Sequence, residues 1–300
     1  MDLLDGLTEP FEHLSADVVA EALREHWGIE GVELTRLDTE RDDTFRAGDV
    51  LIKIAHPSDD PQVIEMQSAA LRHVEVADPG IPVQRVVGPS VLIGGRVARV
   101  LTWVGGDLVD DHDLAPGFWH DAGRMLGRLN EALAGFDHPG AHRALAWDIP
   151  RLPELRNHIS DPVHVAVLER FEADTLPALA RLPHQVIHND GHPGNLLVDP
   201  SAPGRLAGIL DFGDAVHSPR VSNLAVSLTY LWPDVDAFTS GYLESVPLTG
   251  DELAQLPMLI AARTVMRTVI NRALHGDDDP ELREFYTEND AKLREIMKET

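Results

Sequence analysis

The 300-residue chain contains no cysteine. That excludes disulfides, thiolate nucleophiles and every cysteine-ligated metal centre. Lysine is nearly missing too: Lys53, Lys292 and Lys298 are the only ones, and arginine supplies the remaining cations. Aromatic residues make up 5% of the chain, with no basic tract or zinc-finger spacing beside them, so no nucleic-acid module is expected. No window approaches about 18 uncharged apolar residues. The opening "MDLLDGLTEPFEHL" is acidic and broken, unlike a basic leader with an apolar core. A soluble, cytoplasmic protein without membrane partners is expected.

What the chain has in excess is acid. Its formal net charge of −25 opposes non-specific binding to nucleic acid or anionic membranes and is compatible with cationic partners or a salt-rich interior. Against that background Lys53 stands out, because it sits between Ile52 and Ile54 in a β-prone run.

Hydrophobic periodicity divides the chain near the glycine pair Gly105–Gly106, a plausible hinge between a first domain (1–104) and a second (105–300). In the first, residues 16–27 form an amphipathic helix ending near Gly28. Strand-like pieces follow at 32–38, 43–48 and 49–57, separated by short turns that predict an antiparallel meander. Pro61 opens a helix reaching Val74, and two more strands cover 82–93 and 96–103. The expectation is five strands with one inserted helix. Beyond the glycines the pattern becomes helical, over 115–135, 163–177, 222–233, 251–274 and 279–298. Between these helices "NLLVD" (195–199) and "LAGILDF" (206–212), joined by "PSAPG", read as a hairpin.

The stretch "VIHNDGHPGNLLVD" (186–199) gathers polar groups just where that hairpin begins. A metal site, a catalytic loop and an ordinary turn all fit it. Asn195 and Asp211 fall near the same end of the hairpin and carry hard oxygen donors of the kind Mg²⁺ accepts. Asp190, just outside that pair, is suited to orient a hydroxyl and take its proton. Metal-held phosphates, an oriented nucleophile and a compensating cation are the parts of phosphoryl transfer, and Lys53 is the candidate cation.

"HNDGHPGN" followed by "ILDFGD" resembles the catalytic and metal-binding loops of the aminoglycoside phosphotransferase family, relatives of the protein kinases. "ERDDTFRAGDVLIKIAHP" is similar to its phosphate-covering loop and lysine strand. "GFDHPGAHRALAWDI" (135–149) and "DFGDAVHSPRVSNLAV" (211–226) resemble a narrower branch that includes hydroxylysine kinases and kinase domains fused to aminotransferases. The resemblance implies an α+β, two-lobed protein-kinase-like fold: an N-terminal five-stranded antiparallel sheet with one inserted helix, then a mainly helical lobe with a catalytic hairpin. It implies Asp190 as catalytic aspartate, His188 as the buttress of its loop, and Asn195 and Asp211 as ligands of Mg²⁺. Lys53 would hold the phosphates of ATP or GTP, Thr44 and Phe45 would lie at the tip of the covering loop, and Thr102, Trp103 and Val104 would cradle the base. The implied activity is transfer of a γ-phosphoryl group to a hydroxyl of a small, cationic acceptor by a monomer or homodimer. Hydroxylysine or another amino alcohol leads, ahead of aminoglycosides, choline, ethanolamine, homoserine or a sugar.

Two positions depart from the family pattern. The helix glutamate that pairs with the lysine is replaced by Gln67, with Glu65 two residues earlier. About 200° of helical rotation separates them, so they cannot serve interchangeably, and the branch favours Gln67. A glutamine can accept a hydrogen bond from lysine without forming an ion pair. Asn223 stands where relatives often carry an acid, and a structural role is expected there.

Other readings compete. A single lysine in a strand is ordinarily a solvent-facing edge residue. His188, Asp190 and His192 alternate as "HxDxH", and in an extended segment they would share a face, as a metallohydrolase site requires. That reading leaves Lys53 and the Asn195–Asp211 spacing unexplained. His192 and Asp214 are instead candidates to meet the acceptor. The acidic run 107–113 reads as solvated surface or a contact for a cationic substrate, and in 276–286 Asp278 or Asp279 is placed to cap a helix. A catalytically silent nucleotide-binding module is the remaining alternative.

Overall fold

The computed structural model of the protein describes residues 3–5, 9–39, 41–109, 113–231, 235–276 and 280–299. Its first part is an antiparallel sheet of β1 (Leu34–Leu37), β2 (Asp43–Ala47), β3 (Val50–Ile54), β4 (Val86–Ile93) and β5 (Arg96–Thr102), ordered β1-β2-β3-β5-β4. Strand alternation gives this sheet two different faces. Phe45, Ile52, Ile54, Ala98 and Val100 pack on one side against Val19, Ala22 and Leu23 of α1 (Ala16–Trp27). Ser15 caps the start of α1, and Gly28 ends it at φ 66°. The other face carries the opposed pairs Thr44–Lys53 and Lys53–Arg99 toward the helical part of the protein.

Helix α2 (Pro61–Ala77) is inserted between β3 and β4. Asp60 accepts from the Gln62 N–H at its N-terminus, and Pro61 occupies the first turn, where its missing donor costs nothing. The segment 105–106 then leads into β6 (Asp107–Leu108), which the sequence reading did not anticipate because two residues carry no periodicity. β6 joins β8 (Leu196–Asp199) and β9 (Ala202–Ile209) in a three-stranded sheet. A second short pair, β7 (His184–Ile187) with β10 (Val216–Pro219), holds the polar stretch between them.

The remainder is helical: α3 (Phe118–Ala132), α4 (Pro162–Arg170), α5 (Leu176–Leu179), α6 (Val221–Leu231), α7 (Asp236–Ser245), α8 (Gly250–Leu253), α9 (Leu256–His275) and α10 (Pro280–Glu299). The helix expected over 163–177 opens into a wider turn at Phe171–Thr175 before α5. The one expected over 251–274 divides ahead of Leu256, with Pro257 in the first turn of α9. β9 starts and ends earlier than 206–212, so Asp211 and Phe212 lie beyond the strand. α3 and α7 approach so closely that a Cβ on Gly123 would lie 2.0 Å from the Phe238 carbonyl oxygen. Residues 110–112 of the acidic run, and the caps expected at Asp278 or Asp279, fall outside the described residues. None of the described helices is long and apolar enough to cross a membrane.

Candidate active site

The hairpin end brings the site together. The Leu210 N–H donates to the Asn195 carbonyl at 2.8 Å, so Asp211 emerges beside Asn195 just past the paired strands. Asp211 and Asn189 are the two described non-glycine residues with positive φ, at 59° and 63°. Such backbone is sparsely populated for an L residue and persists only where surrounding bonds enforce it. At Asp211 the enforcement is a 2.7 Å bond from the Gly213 N–H to its carboxylate. At Asn189 it is a 3.0 Å bond from its N–H to the Asn223 amide oxygen. The departure at Asn223 is therefore a structural one: a neutral acceptor pins the loop backbone.

His188 is fully buried and uses both ring nitrogens internally. Nε2 meets the Leu210 carbonyl at 3.0 Å, while Nδ1 accepts from the Asp190 N–H at 3.3 Å. Burial holds its pKa below the ordinary histidine value, which keeps the ring neutral and suits this tautomer. His192 is stacked on Tyr230 at 4.8 Å, with Nδ1 accepting from the Gly194 N–H and Nε2 lying 3.6 Å from the Asp190 carboxylate. The alternating "HxDxH" thus lacks its first ligand, because the His188 nitrogen that donates to a carbonyl has no lone pair left and the other already accepts from the Asp190 N–H. Among the described residues no group of three or more His, Asp or Glu side chains is arranged to hold a metal by itself.

Asp190 keeps 21% of its side chain exposed to the cleft. The Asn195 amide N–H₂ donates to its carboxylate at 2.6 Å and to its carbonyl at 3.1 Å. That engagement leaves the Asn195 amide oxygen without a hydrogen bond among the described residues. Together with the Asp211 carboxylate, 43% exposed, it makes a pair of hard oxygens suited to a divalent cation completed by phosphate and water.

Lys53 Nζ lies 3.5 Å from the Asp211 carboxylate and 3.1 Å from that of Asp42. Burial alone would depress the ammonium, but Asp211 and Asp42 outweigh it and raise the pKa above its ordinary value. Reciprocally, Lys53 holds the Asp211 carboxyl down to about 2. Asp214 shows the opposite behaviour: burial, with the Asp190 charge beside it, pushes it up to about 7 against Arg263 and Arg143.

Several expected contacts are arranged differently. Gln67 is buried, but its amide oxygen accepts from Arg99 on β5 rather than from Lys53. Glu65 is exposed on the outer side of α2. Lys53 draws its charge partner instead from Asp42, in the loop between β1 and β2. Thr44 and Phe45 are not at the tip of that loop, which spans 38–42; both lie inside β2, 2% exposed, with Phe45 in the apolar core under the Arg36 guanidinium. At the hinge, the Thr102 hydroxyl accepts from the Arg85 N–H and the Trp103 N–H donates to the Asp49 carbonyl. Val104 rests on β9 where Gly208 leaves room for it.

Asp42, Arg99, Arg143 and Arg263 were not singled out in the sequence. Arg263 is 1% exposed on α9, donates to the Trp147 carbonyl, and stands 3.9 Å from the Asp190 carboxylate. A signal existed: in "LIAARTVMRTV" Arg263 falls among apolar and small residues on the buried side of the helix, where a cation is rarely left without a partner. Arg143 donates to the Gly213 and Ala215 carbonyls, steadying the turn after Asp211. The segment 135–149 is tied to both loops, since the Asn189 amide also donates to the Trp147 carbonyl at 3.4 Å.

Residues 34–251 match the family model described as "Phosphotransferase enzyme family". A hydroxylysine kinase from Danio rerio is 22% identical over 301 residues, covering 87% of this chain and 84% of the relative. Among solved structures, an amicoumacin kinase in complex with AMP-PNP, Ca²⁺ and Ami superposes with a TM-score of 0.72 at 16% identity, over 94% of both chains. A microcompartment-associated aminopropanol kinase gives 0.66 at 19% identity, over 94% of this chain and 95% of the other. The fold is accordingly that of the protein-kinase-like small-molecule kinases. The chain belongs to the phosphotransferase enzyme family and is a small-molecule kinase with a hydroxyl acceptor.

Proposed function

We propose that the enzyme transfers the γ-phosphoryl group of ATP or GTP to the hydroxyl of a small amine-bearing acceptor, with hydroxylysine or a related amino alcohol as substrate. The observation that carries this reading is the Asp190 carboxylate, fixed by Asn195 and open to the cleft beside the Lys53–Asp211 pair. Asp190 orients the acceptor hydroxyl and takes its proton as the O–P bond forms. Asn195 and Asp211 would hold Mg²⁺, whose chemistry there would be to neutralise phosphate charge. Lys53 binds the phosphates from the opposite side, and the backbone at Thr102–Val104 receives the base. His188 carries no proton in this scheme; it keeps the backbone at Asp190 in place.

A cationic acceptor is supported by the carboxylates facing the cleft, Asp190 and Asp214, with His192 beside them. The curated relative named hydroxylysine kinase points the same way. The silent-module alternative is disfavoured by the ionised, metal-competent Asp211. The reading is tested by incubating the protein with Mg²⁺, either nucleotide and one acceptor at a time, then identifying phosphorylated acceptor by mass spectrometry. Phosphorylated hydroxylysine or amino alcohol supports it, and an aminoglycoside or sugar as sole product overturns the acceptor assignment.

A further inference from the structure

Arg99 is a buried cation with one guanidinium nitrogen left over. It is 4% exposed, and its Nη2 donates to the Gln67 amide oxygen, while Nη1 is buried and has no partner. Arg99 stands directly opposite Lys53 across the β3–β5 ladder, and facing residues of antiparallel strands project from the same side of a sheet. The nearby carboxylates Asp42, Asp211 and Asp59 favour its charge, and burial opposes it. Two cations thus lie side by side on the face turned toward Asp211. Leaving a guanidinium N–H desolvated without an acceptor is costly, and an arriving anion would remove that cost.

We infer that Arg99 is a second phosphate-binding residue, its free Nη1 donating to the phosphate chain of the nucleotide beside the Lys53 ammonium. Gln67 then has a defined task. As a neutral acceptor it aims the guanidinium without consuming its charge, which a glutamate at the same place would do by forming an ion pair. Arg99 is planar and offers several donors, so it can engage one phosphate oxygen while Gln67 holds the other edge of the fork. The proposal rests on the nucleotide cleft described under the proposed function.

The experiment compares binding of the triphosphate and of its parent nucleoside, ATP with adenosine or GTP with guanosine, to native protein and to Arg99→Gln and Arg99→Lys. Thermal melts confirm that each variant is folded. Loss of a charge-assisted bond should weaken triphosphate binding by about 10-fold or more in Arg99→Gln and less in Arg99→Lys. Nucleoside affinity should stay within about twofold, on the ground that phosphate contacts contribute nothing to it. Equal losses for triphosphate and nucleoside would show that Arg99 merely braces α2 against the sheet, and unchanged triphosphate binding would also overturn the inference. Native protein that binds neither triphosphate would overturn the nucleotide reading itself, a result distinct from both. Should Arg99→Gln fail to fold, the Arg99→Lys comparison decides alone: no selective loss for the triphosphate contradicts the proposal.

Discussion

Lys53 and Asp211, 158 positions apart in sequence, stand 3.5 Å from each other across the cleft. Each favours the charged form of the other: Lys53 holds the Asp211 carboxyl down to about 2, and Asp211 helps raise the Lys53 ammonium above its ordinary value. With Asp42 at 3.1 Å, Lys53 has two carboxylate partners, and none of them comes from α2. Replacing Asp211 with alanine should therefore remove both the proposed metal oxygen and one of the two carboxylate partners of Lys53. Nucleotide-dependent turnover is expected to fall by about 100-fold or more, the range seen when one preorganised charge is removed from a transition state. Steady-state kinetics across a Mg²⁺ titration checks this, and a native-like kcat would refute the assignment.

Asp214 supplies a pH dependence with a definite sign. Its folded-state pKa of about 7 lies above the ordinary carboxyl value, so the folded protein retains a proton that the unfolded chain releases. Its contribution to stability is complete in acid and is lost as pH rises from about 4 through 7. Asp214→Asn mimics the protonated form at every pH. The variant should gain stability relative to the native protein between pH 5 and pH 8, measured by urea unfolding at each. A constant difference over that range would mean that Asp214 does not hold the proton.

Asn223 tests the loop backbone rather than the chemistry. Its amide oxygen is the acceptor for the Asn189 N–H, at a residue held with φ 63°. Asn223→Ala leaves that donor buried and unsatisfied, at a cost of about 1–3 kcal/mol. Asn223→Asp keeps an oxygen in place and should retain more of the loop geometry. Chemical denaturation together with kcat separates the two variants; equal behaviour would show that the bond is dispensable.

Gly123 probes how α3 meets α7. A methyl group there would sit 2.0 Å from the Phe238 carbonyl oxygen, with backbone rather than a mobile side chain in the way. Gly123→Ala should lower stability by about 1–3 kcal/mol or more through overpacking, outweighing the gain in helix propensity. An increase in melting temperature would contradict the close approach.

Much of this arrangement was legible because local chemistry and fold agree. Short turns separate β1 from β2, β2 from β3 and β4 from β5, and Asp60–Pro61 marks the start of α2 between β3 and β4 by its own capping bond. The hairpin announced itself through apolar runs on either side of a turn, although β9 ends at Ile209 because Asp211 turns back on the Gly213 N–H. What stayed hidden depends on distant partners. β7 and β10 are four residues each and pair across about thirty positions, so neither shows a pattern long enough to read. The turns at Ile149–His158 contain Pro153 and follow no 3.6-residue period. The partner of Lys53 was misplaced for a similar reason. The family resemblance put Gln67 at the position that pairs with the lysine, but only the register of β3 with β5 reveals that Arg99 reaches it first.

The central claim is that Asp190 accepts the proton of an acceptor hydroxyl while Lys53, Asn195 and Asp211 manage the phosphates. It is tested most directly by acceptor-dependent release of nucleoside diphosphate, measured for the native enzyme and for Asp190→Asn with Mg²⁺, ATP or GTP, and hydroxylysine or an amino alcohol. The native enzyme should release diphosphate well above the acceptor-free blank. Asp190→Asn should lose about 100-fold or more in kcat while still binding nucleotide. A native enzyme with no acceptor-dependent release, or an Asp190→Asn variant that turns over at the native rate, would contradict the account.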